Sequence, residues 1–274
     1  MPPVTTPSVS VVVDADLCLP AEVAAAAGIR VAPPEVPLLT ERINIPRLAL
    51  EAGGEVDPAP VVEACLAAAA AGARTVVYVP AQDGYGSPSG AAEAARTALE
   101  PLGVTLEVFE TGEGLMSAGW RAVLLAEALR AGEPLPEAMA RARAVTAAAL
   151  ALVEHPELAV IPGPDGTGTT HRLVTSVHGP DFRLVAAPAR RDDGLRAVRD
   201  GFAQATAEAR GRLRVAVLHG GVVPAGEAMA TWIARQRPDA EVVDTAITHH
   251  QGTRLGPGFV AVCWVEERAA GAEG

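Results

Sequence analysis

The chain has 274 residues, 49% hydrophobic and 20% charged, with a formal net charge of −11. That fits a soluble protein of one large or two ordinary domains and weighs against nonspecific attraction to nucleic acid or an anionic membrane. All 22 basic residues are arginines, which excludes a P-loop lysine, a lysine Schiff base and a lysine general base.

Predicted elements follow in chain order. SVSVVVDA is a β-branched run ending at an aspartate, the pattern of a buried parallel strand. LPAEVAAAAG is a helix with Pro and Glu in its first turn and Gly28 as its stop. IRVAPPEV gives a strand broken by prolines, APVVEACLAAAAAG a helix ended by Gly72, and RTVVYVPA a strand. SPSGAAEAARTALEPLG opens with the Ser-Pro pair of an N-cap followed by a first-turn proline. VTLEVFET is the next strand and MSAGWRAVLLAEALRAG the next helix. This alternation predicts an α/β domain with a parallel sheet.

PLPEAMARARAVTAAALALVEH reads as a further helix, after which the composition shifts to short strands with Gly, Pro and Asp turns. HGPD has the form of a hairpin tip. A charged helix from about Asp192 to Ala209, the strand LRVAVLHGG, the helix PAGEAMATWIARQRP and the strands AEVVDTAIT and GFVAVCWVEE complete the chain. A boundary near His155 gives two α/β domains, 1–155 and 156–274. No repeat is present, and AAGAEG reads as a disordered end.

Cys18, Cys65 and Cys263 are scattered without a CxxC spacing, as expected of buried reduced thiols in a cytosolic protein. Neither a signal peptide nor a membrane span is read, so the predicted location is cytoplasmic. The loop PAQDGYGSPSG follows a strand, where ligands collect in open α/β sheets. Gly84 and Gly86 permit close backbone approach, and Ser87 or Ser89 caps a helix whose positive end favours an anion. The alternative is an ordinary strand-to-helix turn. Asp14 and Asp16 form either a carboxylate pair for a hydroxylated ligand or a cap for the helix near Pro20.

DGTGTTHR has a phosphate loop's composition without its lysine, and reads as a link between strands. Arg190 and Arg191 precede Asp192 and Asp193, which predicts a solvated, self-paired surface. His249 and His250, if extended, point to opposite faces, which argues against a shared metal ion. His219 is the one remaining histidine at a strand end. THHQGTRLGPG itself is read as the turn into the last strand.

The order of these pieces resembles the DegV family. VVVDADLCLPAEVAAAAGIRV is similar to that family's opening strand, Asp-Ser-Thr-Ala-Asp-Leu-Pro turn and Gly-Ile-x-Val. RTVVYVPAQDGYGSPSGAAEAA occupies the place of its Ser-Ser-Gly-Leu-Ser-Gly-Thr loop. LEVFETGEGLMSAGWRAVLLAEAL is similar to its Asp-Ser turn and Met-Gly-Leu-Gly helix, and GTRLGPGFVAVCW to its Gly-Thr-His-Thr-Gly-Pro-Gly. The match is weakest at about 41–57 and 159–172.

The resemblance implies a two-domain fold holding a fatty acid between its domains, with the carboxylate presented to a separate fatty-acid kinase. It implies a binding protein rather than an enzyme, with no cofactor or metal. The implied ligand-binding set is Asp14, Gln82, Asp83, Gly84, Ser87, Thr253, Arg254 and Gly256.

The pattern departs from the family at several of these. Gln82 and Asp83 replace the paired serines, and an aspartate there repels a carboxylate unless protonated or paired. Asp57 falls on the last serine of Thr-Ser-Gln-Pro-Ser, whose threonine has no counterpart. The second-domain insertion with Gly-Gly-Arg-Ile is missing near Pro162 to Arg172. Arg254 stands at the family's histidine, where it supplies a counter-charge to an acyl carboxylate. The alternatives are the same fold binding a small polar or cationic ligand at Asp83 and Asp14, or a domain like the substrate domain of dihydroxyacetone kinase with His219 as the covalent histidine.

Overall fold

The computed structural model describes residues 8–33, 57–81, 89–154, 161–162, 169–170, 172–178 and 181–267. They fall into two compact units that part between Ala144 and Val145.

The first unit is built on a four-stranded parallel sheet in the order β2-β1-β3-β4, from β1 (Val9–Val13), β2 (Arg30–Val31), β3 (Thr75–Val79) and β4 (Thr105–Val108). β1 and β3 are β-branched at nearly every position because both faces are covered. Val12, Val76, Tyr78 and Leu106 pack under α2 (Ala59–Ala70) and α3 (Ser89–Leu99). Val11, Val13, Val77 and Val79 are buried on the other face. α1 (Ala21–Ala27) ends at Gly28 in the left-handed region, φ 70°, as the sequence predicts. α4 (Leu115–Arg130) packs on β1 and is buried on nearly all sides, so its apolar residues form no single stripe. α5 (Leu135–Ala144) closes the unit.

The second unit holds a six-stranded mixed sheet in the order β11-β10-β12-β5-β8-β9. Its strands are β5 (Thr146–Glu154), β8 (Arg172–His178), β9 (Asp181–Ala186), β10 (Arg212–His219), β11 (Glu241–Ala246) and β12 (Val260–Glu267). β6 (Ile161–Pro162) and β7 (Thr169–Thr170) form a separate antiparallel pair. Only β10 and β11 run parallel; the other pairings of the large sheet are antiparallel. One face packs against α6 (Arg191–Ala205) and α7 (Val223–Gln236), where Phe202 meets Trp264 edge-on at 5.3 Å.

Two sequence readings are corrected. The helix expected over PLPEAMARARAVTAAALALVEH stops at Ala144, and Thr146–Glu154 is the strand β5. Its alanines and leucines favour a helix locally, but β12 pairs with one edge of β5 and β8 with the other. Alternate residues then serve both faces: Ala148, Leu150 and Leu152 join the helix-covered core, and Ala149, Ala151 and Val153 are buried opposite. A strand apolar on both faces has no period that separates it from a helix.

The second correction concerns the stretch before the last strand, where His249–Leu255 forms a helix, α8, instead of a turn. Thr248 caps it by accepting from the Gln251 amide at 3.2 Å. The signal was in the sequence: Thr248 followed three residues later by Gln251 is a capping-box pattern. His178 and Asp181 form the last pair of the β8–β9 hairpin, as HGPD predicts.

Candidate functional site

In the first unit the chain leaves β1 through Asp14, which caps a tight turn over Ala15–Leu17 and not the helix beyond Pro20. One carboxylate oxygen accepts from the Asp16 amide at 2.9 Å and the other from the Tyr78 hydroxyl at 3.1 Å. Asp16 thus contributes its backbone amide to the Asp14 carboxylate. Tyr78, on the neighbouring strand β3, is fully buried. Burial, with the negative charge and hydrogen bond of Asp14, pushes its phenol far above the usual range, so it stays a neutral donor. Sequence reasoning missed Tyr78; its place at a parallel strand's end, one strand from Asp14, was the available signal. Cys65 lies in the same core, its thiol pushed up to about 11 by burial and inert at neutral pH.

The turn from β4 into α4 is fixed by Arg121. Its guanidinium grips Glu113 with two bonds, 2.8 and 2.7 Å, and donates to the carbonyls of Ala142 and Arg143 at 2.7 and 2.6 Å. Both partners are largely buried, and the bidentate geometry together with the two carbonyls compensates their desolvation. This cluster fastens the end of α5, with four of the five guanidinium N–H donors bonded to protein.

In the second unit the strand ends at His219 and Gly220. The His219 carbonyl accepts from the Ile247 amide at 3.0 Å, and the Gly220 amide donates to the Phe259 carbonyl at 2.9 Å. Those two bonds hold the entrance and exit of the α8 segment. A Cβ on Gly220 would stand 2.7 Å from the Gly256 carbonyl oxygen, so only glycine permits this approach. Gly256 caps α8 at φ 84°, a left-handed value that favours glycine.

The His219 ring is 6% exposed and lies against α7, where a Cβ on Gly226 would come within 2.6 Å of its Cδ2. Nε2 is 3.7 Å from Asp244 Oδ2 on β11. Nδ1 is buried without a hydrogen-bond partner among the described residues. Burial raises the Asp244 carboxyl above its ordinary value, against the pull of His219 and with a push from Glu227.

Of the predicted site residues, Asp14 lies at the end of β1, while Thr253, Arg254 and Gly256 lie in α8 and its cap. The side chains of Thr253 and Arg254, and the whole of Gln82, Asp83, Gly84 and Ser87, lie outside the described residues. Arg191 departs from its predicted solvated pairing with Asp192 and Asp193. It is partly buried, pairs with Glu154 beside Arg172, and donates to the Gly258 carbonyl at 2.8 Å. Since His249 and His250 are helical, the argument from an extended chain does not apply to them. Among the described residues, no group of three or more His, Cys, Asp or Glu is placed to hold a metal ion. Cys18, Cys65 and Cys263 are buried and not paired as disulfides, as predicted. No helix among the described residues is long and apolar enough to cross a membrane.

No family model and no curated protein matches the sequence. Solved structures match along almost its whole length. A Thermotoga maritima protein described as having a fatty acid binding function superposes with a TM-score of 0.72 at 16% identity, covering 96% of this chain and 100% of that one. A DegV family protein from Thermus thermophilus, described for its fatty acid binding, gives 0.72 at 18% identity, covering 94% and 99%. DegV of Bacillus subtilis, described as a fatty acid binding protein, gives 0.71 at 16% identity, covering 96% and 100%. At such identities the likeness speaks for the fold, and the fold of this chain is the two-domain α/β fold of the DegV proteins.

Proposed function

We propose that this protein is a divergent member of the DegV family that binds a long-chain fatty acid and presents its carboxylate to a separate kinase. The observation that carries this reading is the extent of the likeness. Proteins described as fatty acid binding match over 94% or more of this chain and 99% or more of their own. An acyl chain needs apolar surface, and its carboxylate needs a few fixed donors. The proposed head-group residues are Asp14, Gln82, Asp83, Gly84 and Ser87 in the first unit, and Thr253, Arg254 and Gly256 in the second. Arg254 replaces the hydroxyl and histidine donors that the family pattern carries, as the one cation in that set.

The protein acts by holding a ligand, not by chemistry on it. A covalent substrate histidine at position 219 is disfavoured, because its ring is buried against Gly226. The test is mass spectrometry of the organic extract of purified, denatured protein. We expect one acyl species at one equivalent; no such species, with no thermal shift from added fatty acids, overturns the reading. Arg254→Ala is expected to weaken fatty acid binding by about tenfold or more, as for loss of a hydrogen bond to a charged group. Unchanged affinity removes Arg254 from the head-group site.

A further inference from the structure

We propose that the amino-terminal end of β1 carries a docking groove for the C-terminal tail of a partner polypeptide that ends in an apolar residue. A groove of about 390 Å³ lies there, wholly within the first unit, lined by Val9, Val11, Ala126 and Leu129 with Arg130 and Glu133 beside them. Its volume is in the range of ligand pockets, about 300–1,000 Å³. It sits at the opposite end of β1 from Asp14, so it is separate from the proposed head-group residues of this unit.

Val9 leaves a strand edge open beside this groove. Successive residues of a strand turn their amide and carbonyl to alternate sides. The Ser8 carbonyl accepts from the Arg74 and Thr75 amides, at 2.9 and 3.3 Å, and so faces β3. The Val13 carbonyl accepts from the Ala32 amide at 2.8 Å and faces β2. Val9 shares the parity of Val13, so its N–H and C=O also face the β2 side. β2 pairs only with Val12 and Val13, so no described strand takes the edge at Val9.

The charge beside the groove favours an anion. The last carbonyls of α1 and α4 are already bonded, to the amides of Gly28, Ile29, Ala131, Gly132 and Glu133 and to Arg130. Glu133 pairs with Arg141 at 3.3 Å. Arg130 donates to the Ala26 carbonyl at 2.6 Å and forms no ion pair among the described residues. An open donor and acceptor on a strand, an apolar groove and an uncompensated guanidinium match the end of an extended chain. Its backbone pairs with Val9, its last side chain enters the groove and its carboxylate meets Arg130.

The test uses N-acetyl-Val-Val-Leu as the free acid and as the C-terminal amide, titrated into the full chain by calorimetry and amide NMR. The acid is expected to bind on the order of 1 mM or tighter, to shift the Val9 amide, and to exceed the amide form by about tenfold. Arg130→Gln is expected to remove that advantage and leave the amide form unchanged. Equal binding of acid and amide by the wild type overturns the proposal, as does no binding of either. If Arg130→Gln does not fold, the acid–amide comparison on wild type decides alone. N-acetyl-leucine binding as tightly as the tripeptide assigns the groove to a small acylated amino acid and overturns docking of a chain. Competition by hexadecanoate places the peptide in the fatty acid site and also overturns it, whereas failure of hexadecanoate to bind sinks only the fatty acid reading.

Discussion

The two units secure their loops with a different balance of means. The first uses side chains: Tyr78 donates to Asp14, and Arg121 joins Glu113 to the end of α5. Gly72, Gly103, Gly112 and Gly132 there serve conformation, with positive φ and nothing within 4 Å of an added Cβ, whereas Gly119 is crowded by Met116 Sδ at 2.7 Å. The second unit has its own side-chain tie, Arg191 to Glu154 and the Gly258 carbonyl, but depends more on missing side chains. Cβ atoms at Gly194, Gly201, Gly220 and Gly226 would all come within 3 Å of a neighbour. The first unit is therefore the more sensitive to removing atoms and the second to adding them.

The largest effect expected from this contrast is at Arg121. Arg121→Met leaves Glu113 as an uncompensated, mostly buried charge and should cost about 3–5 kcal/mol, read from chemical denaturation. A loss below 1 kcal/mol would mean that the fastening contributes little. Gly220→Ala should cost about 1–3 kcal/mol by overpacking against the backbone of Gly256, and should lower ligand affinity together with stability. Tyr78→Phe should cost about 1 kcal/mol, because it deletes one hydrogen bond to the partly buried Asp14. The smallest pair is also the sharpest, because both sites are helical glycines. Gly90→Ala in α3 should gain about 0.5–1 kcal/mol from helix propensity, whereas Gly201→Ala in α6 should lose about as much by displacing Leu150. Equal signs for the two would break the comparison.

Legibility in the sequence divides along the same line. The first unit was readable because each parallel strand is a short β-branched run followed by a helix with a glycine stop, a local code. In the second unit, β5 takes its conformation from partners more than a hundred residues away in the case of β12, and neither Ala148 nor Leu150 carries a local mark of that. α8 is masked differently, since its glycines resemble a turn and only the Thr248–Gln251 cap marks a helix start. The hydrogen bond between Asp14 and Tyr78 joins two strands, so no local spacing reveals it and only their places at neighbouring parallel strand ends hint at it. Arg191 reads as surface because its sequence neighbours are acidic, whereas the residues it binds, Glu154 and Gly258, come from the end of β5 and the turn before β12.

The three buried thiols have a use that depends on their distribution. Cys18 and Cys65 lie in the first unit and Cys263 at the centre of the large sheet in the second. Alkylation therefore proceeds only as fast as each surrounding core opens. With no lysine to compete for an electrophile, the mass increments acquired over time would form two separate clocks, one per unit, without any engineered label. A ligand that slows only one of them would report which core it steadies.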